Sequence, residues 1–139
     1  MGSKRIISVV IALVVLLAAI PFVTVSASTN DMVTPFYTNT SSITASLSFS
    51  GTTAQCYSTV TGLLGTTQIT ATMYLYQVKS DGTLSLLNSW NASSSGTLLT
   101  VSGINVVTSG STYRLLITAN VTRNGTTESV SNFDERTAK

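Results

Sequence analysis

From residue 43 onward the chain alternates apolar and polar side chains with a period of two, the spacing of a strand that buries one face and wets the other. Ile43, Ala45, Leu47 and Phe49 point one way, with Thr44, Ser46 and Ser48 between them, until Gly51 interrupts. Ala54, Cys56, Ser58 and Val60 form a second inward set, closed by Gly62 and Gly65. Ile69, Ala71, Met73 and Leu75 make a third, and Tyr113, Leu115, Ile117, Ala119 and Val121 the clearest later one. Beyond residue 30, apolar residues nowhere recur at helical spacing over three turns. Ser and Thr supply 45 of the 139 residues; both disfavour helix interiors and Thr suits a pleated surface, so composition and period agree.

Two dipeptides register hairpins. Asp81-Gly82 and Asn124-Gly125 tolerate the positive φ that a two-residue type I′ turn requires at both central positions. Counting outward from two-residue loops sets Met73 opposite Trp90, Leu75 opposite Asn88 and Tyr76 opposite Leu87. In the second hairpin Ala119 meets Val130, Leu116 meets Phe133 and Arg114 meets Glu135. Residues 91–96 read as a loop. Residues 98–101 and 104–107 read as one bulged strand or two short ones around Gly103. About seven strands at spacings of eight to twelve residues predict an all-β antiparallel sandwich rather than a lone sheet.

The first residues follow another pattern. Lys4 and Arg5 precede an apolar run over residues 6–20, Pro21 breaks it, and Val25-Ser26-Ala27 supplies small residues for cleavage after Ala27. Such a segment is expected to be a secretory signal peptide over residues 1–27; the alternative is a retained anchor, the only membrane contact the sequence offers. The expected organisation is then an extended segment at 28–42, the sandwich at 43–133 and a polar tail at 134–139. A secreted, extracellular location follows from it.

Charge changes the picture once that segment is set aside. The pI of about 8.9 belongs to the whole chain. Removing residues 1–27 leaves five bases (Lys79, Arg114, Arg123, Arg136, Lys139) against five acids (Asp31, Asp81, Glu128, Asp134, Glu135), a formal net charge of zero. With no basic stripe to neutralise phosphates, nucleic acid is not an expected partner. Having no His, the chain has no His-based triad, base or metal ligand. The lone Cys56 has no Lys, Arg or His within twenty residues, and reads as a small buried hydrophobe rather than a nucleophile. Phosphate-cradling glycine loops are missing, and no cofactor is expected.

Two local signatures resemble known families. The alternation of Val107, Ser109, Ser111, Tyr113, Leu115, Ile117 and Ala119 resembles the stretch entering strand F of fibronectin type III-like and immunoglobulin-like sandwiches. There a tyrosine hydroxyl returns to the backbone a few residues upstream, a tyrosine corner, with Tyr113 as the candidate. The usual proline of that motif is missing, and an ordinary half-buried strand tyrosine is the alternative. At larger scale Pro35-Phe36-Tyr37, Ala54-Gln55-Cys56, residues 70–75, Asp81-Gly82-Thr83, Ser89-Trp90, residues 110–114, Asn124-Gly125 and Glu128-Ser129 resemble an uncharacterised family of small secreted proteins of Gram-positive bacteria. That resemblance implies a single β-sandwich behind a signal peptide and carries no activity.

The remaining candidates are few. Asp134-Glu135 reads as a solvated end, Asp81 as a turn residue, and Glu128 as a sheet-margin acid facing Val121. None has a recognisable catalytic setting, so no enzyme is expected. Sequons at Asn39, Asn91, Asn120 and Asn124 are expected by chance in so Ser- and Thr-rich a chain. Tyr74, Tyr76 and Val78 alternate with inward Met73 and Leu75, so they project from the opposite face beside Leu87. These four residues are the candidate contact face for an extracellular protein or a glycan. The alternative is that the tyrosines serve cross-strand pairing, covered by residues 33–40. Unpaired edge strands leave a homo-oligomer open.

Overall fold

A computed structural model describes residues 36–139. The signal-peptide reading and most of the 28–42 segment lie outside the described residues. Seven strands account for nearly all of the rest: β1 (Thr40–Ser50), β2 (Thr53–Gly62), β3 (Thr66–Val78), β4 (Leu84–Ser94), β5 (Leu98–Val106), β6 (Thr112–Arg123) and β7 (Thr126–Thr137). They form two antiparallel sheets, β1-β2-β5 and β4-β3-β6-β7. The fourth strand pairs with the third rather than joining the β1-β2-β5 sheet. The topology is therefore the fibronectin type III-like version of the sandwich, not the constant-immunoglobulin arrangement.

The alternation read from the sequence places the core. Leu47, Val60, Ile69, Met73, Leu75, Leu115, Ile117 and Val121 are buried between the sheets, with Trp90, Phe49 and Tyr37 packed against them. Ser58 is buried among these residues, and its hydroxyl finds a partner in the Met73 sulfur at 3.2 Å. Cys56 is also buried, and burial pushes its thiol up to about 11. Near neutrality the sulfur is a protonated core atom, not a nucleophile.

Tyr113, 2% exposed, packs against Phe49 with ring centroids 5.9 Å apart and planes tilted by 56°. Its hydroxyl accepts a 2.7 Å hydrogen bond from the Thr108 N–H and donates to the Thr108 carbonyl at 3.4 Å. The hydroxyl thus bonds the chain five residues upstream, holding the loop before β6 against the sandwich. Tyr113→Phe is expected to cost about 1–2 kcal/mol by orphaning the Thr108 amide. Urea unfolding of the two proteins measures the difference.

The two hairpins are built differently. Asn124 (φ 50°) and Gly125 (φ 73°) form the expected type I′ pair, and Arg123 faces Thr126 as counted. At Asp81-Gly82 only Gly82 has positive φ (83°). The Gly82 N–H donates to the Lys79 carbonyl, and the Lys79 N–H donates to the Thr83 carbonyl, both at 2.9 Å. These bonds make a three-residue loop of Ser80, Asp81 and Gly82. Asp81 stays at negative φ because its Oδ1 accepts from the Thr83 N–H and hydroxyl. Such a loop shifts the register by one, and a bulge at Leu87 shifts it back. Val78 pairs with Leu84 and Tyr76 with Leu86, whereas Leu75 meets Asn88 and Met73 meets Trp90. Tyr76 therefore faces Leu86, not Leu87.

Further boundaries differ from the pattern-based expectation. β4 continues to Ser94, leaving only three loop residues before β5. β5 is a single strand in unbroken register with β2. Gly103 does not break it, because that position lies under the Trp90 ring; a Cβ there would sit 2.2 Å from Trp90 Cε2. β7 runs through Thr137 and Ala138 is buried, so residues 134–137 belong to the sheet rather than to a polar tail.

The reason lies across the sandwich rim. β7 turns Glu128, Asn132 and Asp134 toward the outer edge of β1. There Asn132 Nδ2 donates to the Ile43 carbonyl (2.8 Å) and the Leu47 N–H donates to Asp134 Oδ2 (2.9 Å). Glu128 accepts from the N–H groups of Thr38 (2.6 Å), Asn39 (2.9 Å) and Thr40 (3.0 Å), and from the Thr40 hydroxyl (2.9 Å). Asn39 reaches back to the Val121 and Thr126 carbonyls. These polar side chains look solvated in sequence, yet they satisfy backbone groups that have no strand partner.

Candidate functional site

The outer face of the β4-β3-β6-β7 sheet is divided in two. Cross-strand registers set Ser93, Thr70, Asn120 and Ser129 in one row and Asn91, Thr72, Thr118 and Ser131 in the next. The following row holds Ser89, Tyr74, Leu116 and Phe133, then come Leu86, Tyr76, Arg114 and Glu135, then Leu84, Val78, Thr112 and Thr137. One end is thus small and polar, the other aromatic and aliphatic.

The tyrosines come together as the alternation requires. Tyr74 and Tyr76 lie near-parallel, 25° apart with centroids at 6.0 Å, each half-buried by its neighbours. On β6 and β7 the Arg114 guanidinium sits 4.7 Å above the Phe133 ring and pairs with Glu135 at 2.7 Å. Phe133 stays 55% exposed and Leu86 54%, with Leu84 and Leu87 also open. Leu84, Leu86, Leu116 and Phe133 are members of this patch that the alternation of β3 alone does not identify. The hairpin register pairs Leu116 with Phe133, and the β3–β6 pairing sets that pair beside Tyr74.

Among the described residues, those before β1 do not cover the patch. Thr38, Asn39 and Thr40 are held at Glu128, at the polar end of the face, while Phe36 is fully exposed. The polar end forms a shallow depression of about 460 Å³ along Thr70, Thr72, Asn91, Thr118, Asn120 and Ser131. There Thr72 donates to Asn91 Oδ1 and Ser129 to Asn120 Oδ1, each at 2.7 Å. Hydroxyl–amide pairs of this kind are local and neutral.

The acids have structural partners. Partial burial pushes the Glu128 carboxyl up, but its hydrogen bonds to Thr38, Asn39 and Thr40 outweigh that and hold it below the ordinary carboxylate range. Asp134 behaves likewise through Leu47 and Arg136, which donates to it at 2.9 Å. Among the described residues no group of three or more His, Cys, Asp or Glu side chains could hold a metal ion. The arrangement offers apolar area and hydrogen-bonding groups.

No family model and no curated protein matches the chain. Among solved structures it is similar to the sporulation control protein Spo0M from Bacillus subtilis, with a TM-score of 0.45 and 12% sequence identity. The match covers 74% of this chain and 50% of that one, so the chain spans about half the length of that protein.

Proposed function

We propose that this is a secreted, non-catalytic binding domain that holds an extracellular protein on the aromatic end of its β4-β3-β6-β7 face. The observation that carries the reading is the segregation of that face. Tyr74, Tyr76, Val78, Leu84, Leu86, Leu116 and Phe133 collect at one end, while every outward position of the two rows at the other end is Ser, Thr or Asn. Strand propensity alone would scatter the aromatics over the face; a cluster with Arg114 at its side has the composition of an interface centre. Secretion is supported by the basic, apolar and small-residue succession over residues 1–27.

Capture from the extracellular fraction of the native source tests it. Tyr74→Ser combined with Phe133→Ser removes two central anchors without entering the core, so the melting transition should hold. Affinity should fall about 30-fold or more, the loss expected for hot-spot residues. Unchanged capture by the folded variant overturns the reading. Selective retention of a glycan instead of a protein, abolished by the same variant, would replace it with carbohydrate binding.

A further inference from the structure

The sandwich has four outer edges, and three are protected. The edge of β1 is occupied by Glu128, Asn132 and Asp134. β7 carries Glu128, Asp134, Glu135 and Arg136, and its Phe133 N–H is taken by Asn132 Oδ1. β4 is interrupted by the Leu87 bulge, and its Ser89 N–H is taken by Asn88 Oδ1. Charges, bulges and side-chain caps are the devices by which edge strands avoid pairing with other chains.

β5 has no charge and no bulge, and a side-chain cap only at its last residue. Its nine residues contain no proline, and its register against β2 runs without a shift. The Val107 N–H donates to the Thr52 carbonyl, and the Thr97 carbonyl accepts from Gly62. Alternation then turns the backbone groups of the odd-numbered residues toward β2 and those of Leu98, Thr100, Ser102, Ile104 and Val106 toward open solvent. Of these, only the Val106 carbonyl has a partner among the described residues, the neighbouring Asn105 amide. The same five side chains lie on the outer face, where Leu98 is 57%, Ile104 68% and Val106 78% exposed.

We propose that two copies of the chain pair through β5, antiparallel, about a twofold axis at Ser102. The sequence of the edge is self-complementary in that register. Leu98 faces Val106 of the second copy, Thr100 faces Ile104, and Ser102 faces itself, so each apolar residue meets an apolar or Thr partner and no charge is buried. The product is one continuous six-stranded sheet, β1-β2-β5 followed by its symmetry mate, with an isologous interface that closes at two copies. Nine residues extend about 30 Å. Pairing over that length buries roughly 500 Å² per copy, about 1,000 Å² in all, near the lower bound for a specific interface. The dimer is accordingly weak, dissociating at roughly 100 μM. The aromatic patch lies on the other sheet, so this proposal stands or falls separately from the binding role.

Sedimentation equilibrium across concentration is the test. The protein should pass from monomer to dimer and stop there. Ser102→Pro removes one edge-facing N–H and leaves the β2 ladder intact, so it should remain monomeric with an unchanged melting transition. Thr100→Lys with Ile104→Lys should also be monomeric, placing Lys against Lys. Mixing that variant with Thr100→Glu and Ile104→Glu should restore a one-to-one dimer. A wild-type protein that stays monomeric at about ten times the expected dissociation constant overturns the proposal. So does association of the Lys variant equal to that of the wild type, which also covers the case in which Ser102→Pro fails to fold.

Discussion

Gly103→Val should destabilise the domain by about 3 kcal/mol, the upper part of the range for overpacking. A Cβ at residue 103 falls 2.2 Å from Trp90 Cε2 and 2.5 Å from Nε1, far inside van der Waals contact, so the indole must leave its seat. Valine otherwise favours a strand over glycine, and that gain offsets only part of the loss. A double-mutant cycle isolates the cause. With Trp90→Ala already in place, Gly103→Val should cost nothing further or become mildly stabilising, and the coupling read from chemical denaturation should approach the full single-mutant loss. An additive result would mean that Gly103 is needed for its own backbone freedom rather than for the indole above it.

Glu128→Ala should cost about 2–3 kcal/mol, because it leaves three backbone N–H groups at the start of β1 without acceptors, partly rescued by water at this rim. Glu128→Gln keeps one carbonyl oxygen and should lose about half as much. The pH dependence follows from the sign of the shift. The folded carboxyl titrates below its ordinary value, so the stabilisation is complete above pH 4.5 and is lost as pH falls through the folded value. Asp134 and Asp81 shift in the same direction and add to the acid sensitivity. Thermal melts from pH 7 to pH 3 should show a decline in the wild type that is shallower in Glu128→Gln. An identical decline in both would remove Glu128 from this role.

How far the sequence reaches is clearest in the hairpins. Asn124-Gly125 specifies a type I′ turn by local chemistry alone, and every pairing counted from it holds. Asp81-Gly82 gives the right partners for Met73 and Leu75 because two departures cancel: a third loop residue and the Leu87 bulge. Nothing local distinguishes that pair of departures from a simple turn, and the one visible consequence is Leu86 rather than Leu87 beside Tyr76.

The partners of the polar residues on β7 were illegible for a different reason. Glu128, Asn132 and Asp134 sit at inward positions of an edge strand, where the pattern leads one to expect apolar residues or a frayed end. Their partners are the backbone groups of Thr38, Asn39, Thr40, Ile43 and Leu47, some ninety residues away and identical in every amino acid. A backbone amide leaves no mark in sequence. The contact face was legible where alternation suffices, in Tyr74, Tyr76 and Val78. Its other half required the lateral order β4-β3-β6-β7, which joins strands that are not successive in the chain.

The bridges between β1 and β7 also fix how the domain would bear load. Thr40, Ile43 and Leu47 follow Glu128, Asn132 and Asp134 in the same direction, so the two strands run parallel. The chain therefore enters at one pole, beside the Asn124-Gly125 tip, and leaves at the other, where the Gly110 N–H donates to the Ala138 carbonyl. Tension applied between the poles shears all three bridges together instead of peeling them one by one. Rupture then requires their simultaneous failure, so resistance to extension is set by the rate of unfolding rather than by equilibrium stability.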